Sequence, residues 1–212
     1  MRIAIVLVIA YLLGSVLPAD LLARARGVDI RAVGTRNPGA TNALRELGLV
    51  PGFVTGAYDA SVGLASMYLA WHVGLPAGWI YTAGLTAFAG HLFPVFFRFR
   101  GGQGMAATTG MLVWCLGYAV VQGWMSLPGI TALLALAAVI FAITRSATIV
   151  GVCAVPVLLV EILLARSGWE FGLFMTVLSV IIWGTQLGIA REGGLFRMSE
   201  PMRERVSRLR AR

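Results

Sequence analysis

The sequence predicts an all-α integral membrane protein of seven transmembrane helices, with its N-terminus outside and its C-terminus cytoplasmic. Three observations predict it. Of 212 residues, 58% are apolar and 12% charged, with a mean hydropathy of +0.84; soluble domains run at about 45–50% and about 25%. Apolar stretches long enough to cross about 30 Å of hydrocarbon recur at 3–22, 52–72, 78–97, 105–123, 128–144, 148–165 and 169–189. All 17 basic residues are Arg, and a seven-span threading puts 15 of them on one side, where cytoplasmic loops carry the excess of positive charge.

The first stretch follows Arg2 and is continuous to residue 22. A cleaved signal peptide reads similarly, but the run is long and no soluble domain follows it, which favours a span. The loop over 23–51 holds Arg24, Arg26, Arg31, Arg36 and Arg45. In the second span, Gly52, Gly56 and Ala60 recur every four residues, a spacing that lets helix backbones approach closely in lipid, and Gly184 and Gly188 repeat it in the seventh. Asp59 lies at a depth where ionisable groups face the bundle interior and have a partner. It is expected to form a structural ion pair, and Arg145, at the cytoplasmic end of the fifth span, is the candidate partner. Glu161 and Arg166 read as a rim pair. The whole forms one domain over 1–190, followed by a basic cytoplasmic tail over 191–212 that either lies on the anionic leaflet or is disordered.

Composition also excludes chemistries. Without Lys there is no Schiff base and no lysine phosphate clamp. Cys115 and Cys153 fall inside apolar runs and read as small buried residues. No Cys/His cluster has metal spacing, so neither a metal nor another cofactor is expected. No basic soluble domain is present to bind nucleic acid. No nucleophile–base signature or Walker pattern appears, so any enzymatic activity would rest on binding and orienting a reactive substrate.

Polar residues gather in two cytoplasmic loops. In "GVDIRAVGTRNPGATNALRELG", Asn37-Pro38-Gly39 marks a turn, and a helix begins near Ala40 or Thr41. Its N-terminus would present free N–H groups, with Asn42 and Arg45 on one face. Thr35, Asn37, Thr41, Asn42 and Arg45 thus make either a phosphate cradle or an amphipathic loop helix on the membrane. In "HLFPVFFRFRGGQGM", Gly101, Gly102 and Gly104 let backbone N–H groups converge on an anion, and Arg98 and Arg100 add charge. A plain glycine turn with topology arginines is the other reading.

These residues resemble a known family. "GTRNPGATNALRELG" resembles the first signature of the acyl-phosphate-dependent glycerol-3-phosphate acyltransferases of the PlsY type, "GHLFPVFFRFRGGQGMA" resembles the second, and "ITRSATI" is similar to the third. The resemblance runs from residue 14 to about 150. It implies a multi-pass enzyme of the bacterial cytoplasmic (inner) membrane, working without metal or cofactor. Such an enzyme moves a fatty acyl group from acyl-phosphate to the 1-hydroxyl of glycerol 3-phosphate, giving lysophosphatidic acid and phosphate for phospholipid synthesis. Its partners would be these two substrates, membrane lipids and the enzyme that makes the acyl-phosphate. By resemblance, Thr35, Asn37 and Asn42 take catalytic positions. Gly39, Thr41, Arg45, His91, Arg100, Gly101, Gly102, Gln103, Gly104, Arg145 and Glu192 bind substrate, with His91 orienting the second loop and the three loop glycines offering N–H donors to the departing phosphate.

The chain departs from the family pattern at several positions. Thr35 stands for a serine; Arg100, Gln103 and Val62 stand for lysines; the C-terminal "IAREGGLFRM" keeps Glu192 but lacks the histidine and asparagine. A related acyltransferase with another acceptor therefore stays open. So does a non-catalytic protein or small transporter that binds anionic lipid or phosphate.

Overall fold

A computed structural model of the protein describes residues 1–123, 131, 135, 138–139 and 169–191. Among them, every regular element is helical. In chain order they are α1 (Arg2–Gly14), α2 (Pro18–Arg24), α3 (Ala40–Glu46), α4 (Leu49–His72), α5 (Ala77–Leu92), a short 3-10 turn (Val95–Phe97), α6 (Met105–Val121) and α7 (Trp169–Arg191). The expected fifth and sixth spans, the tail, Cys153 and the Glu161–Arg166 pair lie outside the described residues.

The first expected span is not one straight helix. It breaks after Gly14, and α2 continues at 42° to α1. Pro18 is the cause: it lacks an N–H to carry a helix through, and it forces the residue before it out of the helical region. Leu17 accordingly is extended, at φ −115° and ψ 93°. Pro18 then suits the first turn of a new helix. A second proline acts the same way at the end of α5. The expected span to residue 97 stops at Leu92, and Pro94 opens the 3-10 turn. Taken together, α5 and the 3-10 turn, Ala77–Phe97, are the one stretch among the described residues long and apolar enough to cross a membrane, with α1 and α2 qualifying only as a bent pair.

Close backbone contacts hold the bundle. A Cβ on Gly14 would sit 2.0 Å from the Ala87 carbonyl oxygen, so α1 and α5 touch backbone to backbone. The expected small-residue stripe of α4 is used on two sides. Gly52 packs on Leu44 of α3 and Gly56 on Ala40, while the Ala60 carbonyl lies under Gly110 of α6. Around Gly184 nothing among the described residues lies within 4 Å of such a Cβ. The core between α4, α5, α6 and α7 is filled by Met67, Phe88, Met111, Cys115, Met175 and Leu178, and Tyr81 stacks on Phe174 at 4.9 Å between ring centres. At one end of α4 and α6, Tyr68, Trp71, His72, Trp114 and Tyr118 form an aromatic cluster of the kind that sits at lipid headgroup level.

These contacts give a first prediction. A Cβ at Gly110 would lie 1.8 Å from the Ala60 carbonyl, whereas one at Gly117 meets nothing within 4 Å among the described residues. Gly110→Ala should therefore push α4 and α6 apart, at a cost of roughly 1–3 kcal/mol typical of overpacking. Gly117→Ala should leave the thermal unfolding midpoint in detergent unchanged or slightly higher. Equal midpoints for the two variants would contradict the packing.

Candidate active site

The first loop is wrapped around one buried side chain. Asn42, 1% exposed, donates from Nδ2 to the carbonyls of Ile30 (3.0 Å) and Val33 (3.2 Å), and its Oδ1 accepts the Thr35 N–H at 2.8 Å. Residues 30–35 are thereby gathered over the start of α3. Gly34, at φ +56°, is required there: a Cβ would lie 2.2 Å from Asn42 Oδ1. α3 starts at Ala40, where the sequence places a helix start, and Gly39 is its N-cap. Asn42 and Arg45, three residues apart on α3, differ in burial, however; Asn42 is buried and Arg45 is exposed, as is Thr41. The reason is tertiary. The polar loop needs an internal hydrogen-bond hub, and Asn42 is the residue that the fold of α3 onto α4 encloses.

The second loop folds back on the helix that precedes it. Arg98 and Phe99 take left-handed conformations (φ 54° and 58°), uncommon for side-chain-bearing residues. The Phe99 N–H reaches the Pro94 carbonyl and the Arg100 N–H the Phe97 carbonyl. The reversal lays Gly101 on the end of α5 so tightly that a Cβ would lie 2.1 Å from the His91 carbonyl oxygen and 2.2 Å from that of Leu92. The Gly102 N–H donates to the His91 carbonyl at 3.1 Å. Gly102 therefore does not offer its N–H to a ligand, contrary to expectation. The N–H groups of Gly101, Gln103 and Gly104 meet no acceptor among the described residues, and Gly104 caps the N-terminus of α6.

The two loops meet at Asn37. Its Nδ2 donates to Gln103 Oε1 at 3.3 Å, and its Oδ1 lies 3.5 Å from where a Gly102 Cβ would stand. Below them His91, 3% exposed, points Nε2 at Gly102, 2.7 Å from that same Cβ position. The opposite ring nitrogen, Nδ1, faces Asp59 Oδ1 at 3.8 Å, too long for a hydrogen bond. Asp59, 2% exposed, is thus the neighbour of His91; Arg145, like Glu192, lies outside the described residues. The structure accordingly brings Asn37, Gly39, His91, Gly101, Gly102 and Gln103 together, ties the Thr35 N–H to the buried Asn42, and leaves Arg45 and Arg100 exposed.

Sequence reasoning missed the supports. Tyr11 donates its hydroxyl to the Phe93 carbonyl at 2.6 Å, and Ser15 Oγ accepts the Val95 N–H at 3.4 Å, so α1 fastens the start of the second loop. Arg26 donates to the Leu47 carbonyl at 2.6 Å. Asp20 is 3% exposed and pairs with Arg24 and Arg31. Tyr11 and Ser15, single polar residues in an apolar run, were the available signal; Asp20 reads from sequence, like Asp59, as an ionisable group nearer the interface that needs a partner, and its two arginines are what the fold adds.

Comparison with known proteins agrees with this architecture. The family model described as glycerol-3-phosphate acyltransferase matches residues 4–191. A glycerol-3-phosphate acyltransferase of Geobacter sulfurreducens is 35% identical over 164 residues, covering 72% of this chain and 84% of that protein. One of Geotalea daltonii is 48% identical over 110 residues, and one of Deinococcus radiodurans 45% identical over 106. In these two the match spans only about half the length of the relative, 57% and 54%. The crystal structure of PlsY, an integral membrane glycerol 3-phosphate acyltransferase, in its glycerol 3-phosphate form superposes with a TM-score of 0.73. Identity is 25%, and the superposition covers 92% of this chain and 94% of that one. With a family model matched along nearly the whole described fold, the chain belongs to the glycerol-3-phosphate acyltransferase family.

Proposed function

We propose that the two loops bind acyl-phosphate and glycerol 3-phosphate together and transfer the acyl group to the 1-hydroxyl, giving lysophosphatidic acid and inorganic phosphate. The observation that carries this reading is the junction of Asn37 with Gln103 and Gly102, beside three backbone N–H groups without an acceptor among the described residues. An acyl-phosphate is a mixed anhydride whose leaving group is already good. The glycerol hydroxyl attacks the acyl carbon, the acyl–oxygen bond to phosphate breaks, the phosphate leaves with the electron pair, and the hydroxyl proton ends on the released phosphate. No enzyme nucleophile is needed, and catalysis consists of orientation and of donors aimed at the charge gathering on the departing phosphate. The N–H groups of Gly101, Gln103 and Gly104 are those donors, and the N-terminus of α6 adds its positive dipole end.

Gln103 takes part as a neutral donor. Its Oε1 is held by Asn37, which leaves its NH2 free for a phosphate oxygen. Thr35 supplies a hydroxyl, and Gly39 and Thr41 line the start of α3. Arg45 and Arg100 supply the formal charge for the glycerol 3-phosphate phosphate, and the family resemblance adds Arg145 and Glu192 as substrate-binding residues. Asn42, His91 and Asp59 shape it from beneath. The whole protein is a seven-span enzyme with its N-terminus outside and its loops facing the cytoplasm of a bacterium. It would draw acyl-phosphate from the membrane and from the enzyme that makes it.

Purified protein given palmitoyl-phosphate and labelled glycerol 3-phosphate should form lysophosphatidic acid and phosphate in equal amounts. Folded protein that forms none would overturn the reading. A wider acceptor screen addresses the second reading, a different acceptor, which the neutral Gln103 favours. Arg45→Ala should raise the KM for glycerol 3-phosphate roughly 10-fold or more, as loss of a charge-assisted contact does. The KM for acyl-phosphate should change little; an unchanged KM for glycerol 3-phosphate would remove Arg45 from the site.

A further inference from the structure

Asp20 and Arg31 belong to neither loop's ligand-facing surface, yet they join the two loops. Each oxygen of the buried Asp20 carboxylate takes one guanidinium: Oδ1 accepts from Arg24 Nε, and Oδ2 from Arg31 Nε at 2.9 Å. Both arginines then reach the second loop. A different nitrogen of Arg31, Nη2, donates to the Arg100 carbonyl at 2.6 Å, immediately before Gly101. The Arg24 guanidinium lies 5.5 Å from the centre of the Phe97 ring, a cation–π distance. Arg98 and Phe99, the two residues forced into left-handed conformations, sit between these contacts. Such backbone persists only where its surroundings over-determine it, and the two arginines grip the reversal on both sides.

We propose that Asp20 is the hub of a two-arginine clamp that sets the position of the glycine loop, and that Asp20 and Arg31 are positioning residues for phosphate binding. This rests on the reading that the loop binds phosphate. The geometry suits arginine. Two nitrogens of one rigid guanidinium serve the carboxylate and the carbonyl separately, whereas a lysine offers all its donors from one point and loses that fixed fork. The carboxylate is equally specific, because an amide at Asp20 would offer one acceptor and one donor to two cations.

The test compares Arg31→Lys, Asp20→Asn and the double variant with the unmodified protein. The readouts are kcat/KM and inhibition by inorganic phosphate, alongside the thermal unfolding midpoint. Arg31→Lys keeps the charge and should keep the midpoint, yet lower kcat/KM roughly 10- to 100-fold, the scale of a misplaced binding group. Inhibition by phosphate should weaken in parallel. The double variant should be little worse than the worse single one, since residues acting through one contact are not additive. Arg31→Lys with native kcat/KM and native phosphate inhibition overturns the clamp. So does a loss that only tracks the folded fraction. If the unmodified protein shows no turnover, the acyltransferase reading falls by itself. The clamp is then read from stabilisation by inorganic phosphate, which Arg31→Lys should reduce and whose persistence in Arg31→Lys would refute it.

Discussion

Gly101→Ala should abolish most acyl transfer, lowering kcat/KM roughly 100- to 1000-fold, the scale of a displaced catalytic binding group or a lost oxyanion donor. The methyl group would stand 2.1 and 2.2 Å from the carbonyl oxygens of His91 and Leu92. Both belong to the end of α5 and neither can swing aside as a side-chain tip would. The loop must lift, and three features move with it: the Gly102 N–H bond to the His91 carbonyl, the Asn37–Gln103 bond, and the free N–H groups around it. The core between α4, α5, α6 and α7 lies away from Gly101, so the thermal midpoint should fall much less than the activity. Steady-state kinetics and thermal unfolding on one preparation check it. Near-native kcat/KM in Gly101→Ala would show that the loop geometry does not matter to the reaction.

Asn42→Ala should have the other large effect, and of a different kind. The substitution leaves the carbonyls of Ile30 and Val33 and the N–H of Thr35 without their partner in a buried place. A cost of roughly 2–5 kcal/mol is expected from unpaired buried groups of this sort. Activity should vanish with it, because Thr35 and Asn37 hang on that loop. The diagnostic is that stability falls together with activity, in contrast to Gly101→Ala. Loss of activity at native stability would instead return Asn42 to direct contact with substrate. Asn42→Asp is a useful companion. It keeps the acceptor for Thr35 but loses the two donors and faces two carbonyls with a charge, so it should be no better than alanine.

The two variants show how much of the site was legible in the sequence. The glycine loop, the Asn37 turn and the helix start at Ala40 could be read directly, because glycine, proline and asparagine act on their own backbone. The role of Asn42 could not. Spacing puts it three residues from Arg45, close in angle on a helix, and only the seating of α3 on α4 decides that one is buried and the other exposed. The Gly102 N–H was likewise expected to be a free donor, and the fold-back onto His91 occupies it. Arg31 was read as one more cytoplasmic arginine, since nothing local marks an arginine that will meet a carbonyl 69 residues away.

What the sequence by itself determined is the helical segmentation and the location of polar chemistry. Hydrophobic runs delimit α4, α6 and α7 to within a few residues; the breaks at Pro18 and Pro94 depart from the unbroken first and third runs, although their cause is local backbone geometry. These are properties of short segments, and composition and spacing suffice for them. Tertiary structure alone decided the pairings: Asp59 beside His91, Asp20 between two arginines, Asn42 under its own loop, Asn37 on Gln103. A buried polar group must find its partner from whatever the packing brings near. In this bundle that is set by how closely the glycine-lined faces of α1, α4, α5 and α6 let the backbones approach.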